Sequence, residues 1–463
     1  MPSEHRSTGL VRFLHALTFG ALPDGVRVMA RQCLLDALGC GLFGSLQPWS
    51  RILAEELIAE HSTGNCGVIG HDARLSAPAA AMCNGLAIHG YELDDLIASS
   101  IIHPGAAVIP AALAAAEACN ASGERLMLGI VAGYEIMHRI AVGMGVAPSR
   151  RGFHVTSLTA PVGAAMAAGI VAQLDLAQLT SAIGISCSSA SGIKAFASGH
   201  GGGMVKRLHL GRGAEAGVRA CQLARRGFSG PPYAIDGRFG LLEIFGGETA
   251  VPARLGDGLG DAWAISDIWF KVYPICGWIQ PVVQALSDMR AGRGISAGDI
   301  AAIRVGVSSY AAANNGNPAP VDTMGAQYSI PFCAALALLG DPRDPGEYAA
   351  GRLAEPAMHR LQSKVEVYVS DAAEAVYPDK YAAEVEIVLI DGTTMNVSVL
   401  ECRGTPADPC SATELEQKFR VLAGKVLAED QAVAVAAMVS QVETLESLRP
   451  LTDLLTPARN RAA

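Results

Sequence analysis

The chain is poor in charged and aromatic residues: of its 463 residues, 17% are charged and 5% are aromatic. Its formal net charge is −9 and its basic residues are scattered, which argues against nucleic acid as a partner. No stretch combines about 18 uncharged residues with the bulk of a membrane span, and the N-terminal stretch lacks the apolar core of a signal peptide. We therefore expect a cytoplasmic protein that binds neither nucleic acid nor a membrane.

The sequence also lacks the usual motifs of metal and cofactor sites. Its eleven cysteines are dispersed from Cys33 to Cys410 without a C-x-x-C pair, so neither a disulfide framework nor a zinc site is indicated. The glycine-rich stretch at 199–203 does not have the G-x-G-x-x-G spacing of a dinucleotide site, and no strand pattern precedes it. We expect no metal and no cofactor.

What is present is a long helical pattern. Half of the residues are hydrophobic, and from residue 10 to about residue 244 apolar side chains recur at three- and four-residue spacing. Alanine and glycine fill many of these segments, which indicates helices that pack closely. After residue 409 the helical pattern returns, and Ser411 and Glu414 form a capping box at its start.

Between these two helical regions the hydrophobic residues recur with a different period. Residues 303–310, 364–371 and 383–401 alternate with a period of two, and Asp391-Gly392 at the centre of the last segment predicts a hairpin. The fold class predicted is mostly α with an α+β part. Residues 1–262 and 405–463 form a large all-helical domain, and residues 263–404 form a smaller α+β lid domain.

Five segments combine polar or charged side chains with glycine or proline. They are residues 92–103, 150–154, 198–207, 270–276 and 323–330, the last with Gln327 and Tyr328 as its candidates. His103-Pro104-Gly105 precedes an apolar run, which predicts a helix start where an anionic ligand is favoured. Lysines and histidines from several segments would form a cationic pocket between the domains, suited to a di- or tricarboxylate. Such a pocket stabilises the dianion formed when a proton is removed next to a carboxylate.

Each segment has a plainer interpretation. His103 caps the helix while the neighbouring carboxylates are solvated; Lys206 and Lys271 lie on the surface; Cys276 is a buried small hydrophobe. His154 is a hydrogen-bonded core histidine, and the glycines only permit close helix packing.

Several motifs in fixed order resemble the MmgE/PrpD family, which includes 2-methylcitrate dehydratase, cis-aconitate decarboxylase and iminodisuccinate epimerase. They are ELDD followed by HPG, then RGFHVTSLTAPVGAA, MVKRLHLGRGAEAGVRACQLARRGFSGP, FKVYPIC and AQYSIPFCAALALLGD. The resemblance implies a helical domain interrupted by an α+β lid, a homodimer, and a site in the cleft between the domains.

The resemblance also implies roles for individual residues. The family's acidic motif falls on Glu92, Asp94 and Asp95, its histidine on His103, and its two lysines on Lys206 and Lys271. The chain departs from the family at four positions. Cys276 stands where decarboxylase members have histidine, and Gln280 where many dehydratase-like members have histidine; Glu92 replaces a common aspartate, and Leu96 replaces a hydroxyl residue.

We therefore expect a cofactor-independent lyase that eliminates water from a hydroxy di- or tricarboxylate resembling 2-methylcitrate. The catalytic residues expected are Asp94, Asp95, His103, Lys206 and Lys271. The substrate-binding residues expected are Glu92, Arg151, His154, Tyr273, Cys276 and Gln280. Alternatives are an epimerase of an aminated dicarboxylate such as iminodisuccinate, a cis-aconitate-type decarboxylase, and an inactive carboxylate-binding member.

Overall fold

A computed structural model describes residues 5–60, 62–197 and 203–457. Ten α-helices make up most of the first half of this described part. They are α1 Arg6–His15, α2 Asp24–Ser45, α3 Pro48–Ala59, α4 Ala77–Ile88, α5 Gly105–Cys119, α6 Gly123–Met144, α7 Ala147–Arg150, α8 Val155–Val171, α9 Leu176–Cys187 and α10 Val205–Arg225. The helix expected after His103-Pro104 is confirmed as α5.

The second half mixes short helices with strands. The helices are α11 Gln280–Arg293, α12 Ser309–Asn315, α13 Thr323–Gln327, α14 Ile330–Leu339, α15 Ala350–Leu353, α16 Pro356–Gln362 and α17 Asp371–Val376. Two short strands, β1 Thr63–Gly67 and β2 Arg74–Leu75, lie in the first half of the chain. The strands of the second half are β3 Ile300–Val307, β4 Val365–Val369, β5 Ala383–Leu389 and β6 Thr394–Val399, in the sheet order β4-β3-β5-β6. β3 is parallel to β4, and the other neighbours are antiparallel. The β5–β6 hairpin expected at Asp391-Gly392 is confirmed, with Gly392 at a φ of 85°.

Three further helices close the chain: α18 Ala412–Ala423, α19 Glu429–Ser440 and α20 Arg449–Asp453. α18 begins with the expected capping box, in which the side chain of Ser411 accepts from the backbone N–H of Glu414 and the Glu414 carboxylate accepts in return. α18 then packs against α2, at the opposite end of the sequence.

Two hydrophobic cores follow from this arrangement. One contains buried residues from 10–270 and 415–455, which we call the helical unit, and the other contains residues from 273–395, which we call the α+β unit. A small cluster of Leu96, Trp269, Tyr381 and Cys402 lies where the units meet. The expected fold class, mostly α with an α+β part, is confirmed.

The expectation that residues 10 to about 244 are helical was wrong in one segment. Between α3 and α4 the chain forms a short antiparallel hairpin of β1 Thr63–Gly67 and β2 Arg74–Leu75. These strands are too short to show a period of two, and their residues are largely glycine, asparagine and other small or polar side chains. Backbone pairing therefore forms them without a pattern that sequence reasoning could detect.

Small residues allow the central helices to approach closely. α6 packs against α8 where Gly133 and Gly163 lie. A Cβ atom at Gly133 would lie 2.6 Å from Cγ1 of Val108, and one at Gly163 would lie 2.2 Å from Cγ of Met137. Larger residues at these positions would force the helices apart.

α6 is long and apolar enough to cross a membrane by length and composition alone. Within the fold, however, 89% of its most apolar window is buried. Glu135 and Arg139 on this helix form an ion pair of 2.6 Å inside the protein. These contacts are those of a core helix.

Candidate active site

A cavity lies between the helical unit and the α+β unit, with about 670 Å³ of empty space including its mouth. Both units contribute polar side chains to its wall. Those from the helical unit are Glu92, Ser149, Lys194, Lys206, His103 and His154; those from the α+β unit are Cys276, Trp278, Tyr310, Asn314, Asn315 and Tyr328.

Glu92 connects the two lysines that the family resemblance singled out. It follows a short turn after α4 and adopts a left-handed backbone conformation, with φ 58° and ψ 29°. One carboxylate oxygen accepts from Nζ of Lys206, and the other lies 3.1 Å from Nζ of Lys271. All three side chains are buried. Neither lysine lies on the surface, so the plainer interpretation of them was wrong.

This ion pair network determines the protonation of its members. Burial alone would raise the pKa of Glu92, but the two ammonium groups outweigh it and hold the pKa well below its usual range. Burial lowers the pKa of Lys206, and the attraction of Glu92 does not fully offset this. At Lys271 burial acts in the same direction, yet Glu92 and Asp94 outweigh it and raise the pKa. Lys206 is therefore the lysine that releases a proton more readily.

Asp94 is in contact with two imidazole rings. Its Oδ2 lies 2.7 Å from Nδ1 of His89 and 3.4 Å from Nδ1 of His103. Asp94 is 1% exposed, so it is not a solvated loop residue. Burial, followed by the charge of Lys206, holds the pKa of His89 well below its usual range. Asp94 therefore orients the ring of His89 and lies beside that of His103.

His103 presents a free nitrogen to the cavity. Its Nδ1 lies 2.8 Å from the backbone carbonyl oxygen of Asp95, and because that oxygen only accepts, Nδ1 is the protonated nitrogen. Nε2 then carries a lone pair. Burial, only partly opposed by Asp94, lowers the pKa of His103 to about 3, so the ring is neutral near pH 7. Its side chain is 12% exposed and lines the cavity.

Asp95 faces away from the cavity. Its Oδ1 accepts from the N–H of Gly105 at 3.0 Å, and its Oδ2 accepts from the hydroxyl of Tyr134 at 2.5 Å. Asp95, rather than His103, therefore satisfies the backbone at the start of α5, and the interpretation of His103 as the helix cap was wrong. Burial raises the pKa of Asp95 from 3.8 to about 7.

His154 forms the next part of the wall, at the start of α8. Its Nδ1 lies 3.1 Å from Nδ1 of His209, so one ring donates and the other accepts. Its ring also stacks at 5.9 Å on that of His89. Burial holds the pKa of His154 well below its usual range.

Three residues expected to bind substrate do not reach the cavity. Arg151 is exposed and donates to the backbone carbonyl of Ile244 at 3.1 Å, because the turn before α8 directs it outwards. Gln280 is buried and accepts from the N–H of Tyr273 while donating to its carbonyl. The ring of Tyr273 lies in the core of the α+β unit, within 5.9 Å of Arg343. Gln280 stabilises the backbone around Tyr273. The expectation that Gln280 and Tyr273 line the substrate site was wrong.

Cys276 does line the cavity. Burial and the charge of Glu92 raise the pKa of its thiol to about 11, so it is neutral near pH 7. Gln327 donates to the backbone carbonyls of Tyr91 and Pro274 and so connects the two units. The glycine-rich stretch falls largely on 198–202, which lies outside the described residues.

Sequence reasoning missed several residues of the site. His89 lies three positions before the acidic motif, and this spacing was the only available signal. Lys194, Tyr310, Asn314 and Ser149 have no motif in the sequence, because they come together only through the packing of the two units. Tyr328 was a candidate, and its hydroxyl lies 3.5 Å from Oε1 of Glu92.

One group of side chains could hold a metal ion. A ligand atom from each of His89, Asp94 and His103 lies within 4.8 Å of the others. Nδ1 of His89 is already directed at the Asp94 carboxylate and Nδ1 of His103 at the backbone oxygen of Asp95, so a metal bound through these atoms would have to replace their protons. The expectation that the protein needs no metal or cofactor stays a prediction.

The sequence matches the N-terminal domain model of the MmgE/PrpD family over residues 8–253 and the C-terminal domain model over residues 273–444. The chain therefore belongs to the MmgE/PrpD family, and the resemblance is confirmed. The C-terminal match includes α18 and α19, whose buried side chains contribute to the core of the helical unit.

Curated relatives are similar in sequence to this protein over nearly its full length. A cis-aconitate decarboxylase of Aspergillus terreus is 26% identical over 94% of this chain and 92% of its own length. Those of Homo sapiens and Mus musculus are 28% and 27% identical, each over 96% of this chain and over 92% and 91% of their own lengths. Together with the family, these relatives support the assignment of a lyase.

Proposed function

We propose that this protein is a cofactor-independent lyase that eliminates water from a small hydroxy di- or tricarboxylate resembling 2-methylcitrate. The observation that carries the proposal is the position of His103. A neutral imidazole with a free Nε2 lines a cavity that also contains Lys206. A general base beside a cation is what removal of a proton next to a carboxylate requires.

In the proposed reaction, a substrate carboxylate binds beside Lys206. Lys206 lines the cavity and can donate to this carboxylate, whereas Lys271 is fully buried and contacts the other oxygen of Glu92. His103 takes the proton from the adjacent carbon. Asp94, beside Nδ1 of the ring, stabilises the imidazolium that forms.

The second half of the proposed reaction removes the hydroxyl group. The electron pair left on carbon forms a C=C bond as the neighbouring C–O bond breaks. The leaving hydroxide takes a proton from an acid and departs as water. Lys206 suits this acid role, because burial lowers its pKa and it is the less firmly charged of the two lysines. The products are an unsaturated polycarboxylate and water.

Decarboxylation is the second candidate function, and the names of the curated relatives favour it. The cavity contains Cys276 where, by family resemblance, decarboxylases have histidine. A neutral thiol with a pKa of about 11 is a poor replacement for an imidazole as a proton donor near pH 7. This difference favours dehydration.

The experiment is a substrate test followed by proton NMR and ultraviolet absorbance. The purified protein is incubated in deuterated buffer with 2-methylcitrate, citrate, cis-aconitate and a racemic aminated dicarboxylate. Dehydration gives new absorbance of an unsaturated acid without release of CO2. In the proton spectrum citrate gives a vinyl proton, whereas 2-methylcitrate that loses the proton of its methyl-bearing carbon gives a methyl singlet on the new C=C bond. Release of CO2 from cis-aconitate supports the decarboxylase, and exchange of an α-proton without an alkene supports the epimerase. Conversion of none of these acids would contradict the proposal and support a member that only binds carboxylates.

The homodimeric state and the cytoplasmic location stay predictions from the sequence. The homodimer is checked by light scattering on the purified protein. The cytoplasmic location is checked by fractionation of the source cells.

A further inference from the structure

Lys194 lines the same cavity but belongs to none of the family's motifs quoted above. Its backbone N–H donates to the carbonyl of Gly152 at 2.8 Å, next to a bridge between Phe153 and Ile193. Gly192 adopts a φ of 123°, and a Cβ there would lie 2.0 Å from Oγ of Ser157. This backbone geometry holds Lys194 against the wall formed by the start of α8.

Lys194 differs from the other two lysines of the site in its partners. Lys206 and Lys271 share the carboxylate of Glu92. Among residues 5–60, 62–197 and 203–457, no carboxylate lies within ion-pair distance of Lys194. Its Nζ instead contacts the hydroxyl of Tyr310 and lies 4.8 Å from the centre of that ring. The charge of Lys194 is therefore available for an anion.

Two hydroxyl groups lie beside this charge. Oγ of Ser149 is 3.3 Å from the hydroxyl oxygen of Tyr310. The Tyr310 ring is fixed by Trp278 at 4.8 Å and by stacking on Tyr377 at 5.7 Å. Ser149 and Lys194 come from the helical unit and Tyr310 from the α+β unit. The three donors converge only because the two units pack together.

We propose that Lys194, Tyr310 and Ser149 form a second carboxylate subsite, which binds the carboxylate of the substrate that is remote from the reacting carbon. This inference rests on the proposed function for the polycarboxylate itself. One carboxylate binds beside Lys206, and a second accepts from the ammonium group of Lys194 and the two hydroxyls. Lys194 then determines specificity for substrates with more than one carboxylate, and it takes no part in proton transfer.

The test uses propane-1,2,3-tricarboxylate, which has no hydroxyl group to eliminate and therefore reports binding alone. Its Kd is measured by calorimetry for the wild type, Lys194→Met and Lys425→Met. The matched control removes the same charge at an exposed position in the helical unit. We expect Lys194→Met to weaken binding about ten- to a hundredfold, because a hydrogen bond to a charged group is lost. Lys425→Met is expected to bind as the wild type does.

Two further variants separate charge from packing. Lys194→Arg retains the charge and is expected to recover most of the affinity, whereas Tyr310→Phe retains the ring and is expected to weaken binding less than Lys194→Met. On a substrate that is turned over, Lys194→Met is expected to raise KM while kcat changes little, since the subsite does not touch the reacting carbon.

An unchanged Kd in a folded Lys194→Met variant would overturn the subsite and leave the proposed function standing. A loss of kcat without a rise in KM would also overturn it. If the wild type binds neither this tricarboxylate nor any acid of the substrate test, both proposals fail together.

Discussion

The two sides of the cavity are built from different chemistry. The helical side contains His103, whose ring lies beside Asp94, and Glu92, which is paired with Lys206. The α+β side contributes hydroxyls, amides, aromatic rings and the neutral thiol of Cys276. Lys271, from the segment that leads into the α+β unit, reaches across to Glu92.

This difference indicates that the two sides of the cavity have different roles in the proposed reaction. Groups that carry protons need a fixed tautomer, and the backbone oxygen of Asp95 fixes that of His103. Groups that recognise a substrate need donors directed into the cavity, and both units supply them: Ser149 and Lys194 from the helical unit and Tyr310 from the α+β unit. We expect the largest effect from a variant on the helical side.

On the helical side, His103→Ala is expected to lower kcat about 10²- to 10⁴-fold, because it removes the proposed general base. The free energy of unfolding is expected to change much less. Steady-state kinetics on the substrate identified by NMR checks this, with His359→Ala as control because His359 is exposed and outside the cavity. Equal turnover in the two variants would show that His103 does not carry the proton.

Where the two sides meet, Glu92→Gln is expected to lower the free energy of unfolding by about 3–5 kcal/mol, because two buried ammonium groups lose their shared carboxylate. Chemical denaturation at pH 7 measures the change. Glu416→Gln is the control, since it removes an exposed ion pair worth less than about 1 kcal/mol. Because the pKa of Glu92 lies below its unfolded value, its contribution is present near neutral pH and is lost as the pH falls through the acid range. Equal stability of both variants would contradict the ion pair network.

On the α+β side, Gln280→Leu is expected to lower the free energy of unfolding by about 1–3 kcal/mol, because the backbone groups of Tyr273 and Ile275 lose a buried partner. Binding of propane-1,2,3-tricarboxylate is expected to be retained, since Gln280 does not line the cavity. Thermal unfolding and calorimetry check the two quantities separately. Loss of binding with unchanged stability would return Gln280 to the substrate site.

The smallest expected effect is a change in the pH dependence of the free energy of unfolding when Asp95 is replaced. Its folded pKa of about 7 exceeds the unfolded value of 3.8, so the folded state retains a proton that the unfolded state releases. Asp95 therefore makes stability fall as the pH rises from about 4 to about 7. Asp95→Asn can still accept from Gly105 and is expected to flatten this slope, with a gain of about 1 kcal/mol at pH 8. Unfolding curves of both proteins from pH 4 to 8 measure it, and parallel curves would contradict a protonated Asp95.

Much of the architecture could be predicted from the sequence. Helical spacing predicted the helical unit, the alternation and Asp391-Gly392 predicted the β5–β6 hairpin, and Ser411 with Glu414 predicted the start of α18. These features depend on neighbours in the chain, whose chemistry is visible in the sequence. The motifs that indicated the family also predicted which short segments would meet at a cavity.

The partners of individual side chains were decided only by tertiary structure. Glu92 appeared to be one more substrate ligand, but its left-handed backbone directs it between two lysines that lie 114 and 179 residues away along the chain. Asp94 and Asp95 are adjacent in sequence, yet one contacts histidines and the other supports α5. Side-chain direction and burial fix such pairings, and neither is encoded in local composition. For the same reason Lys194 and Tyr310, which have no motif, meet only where the two units pack together.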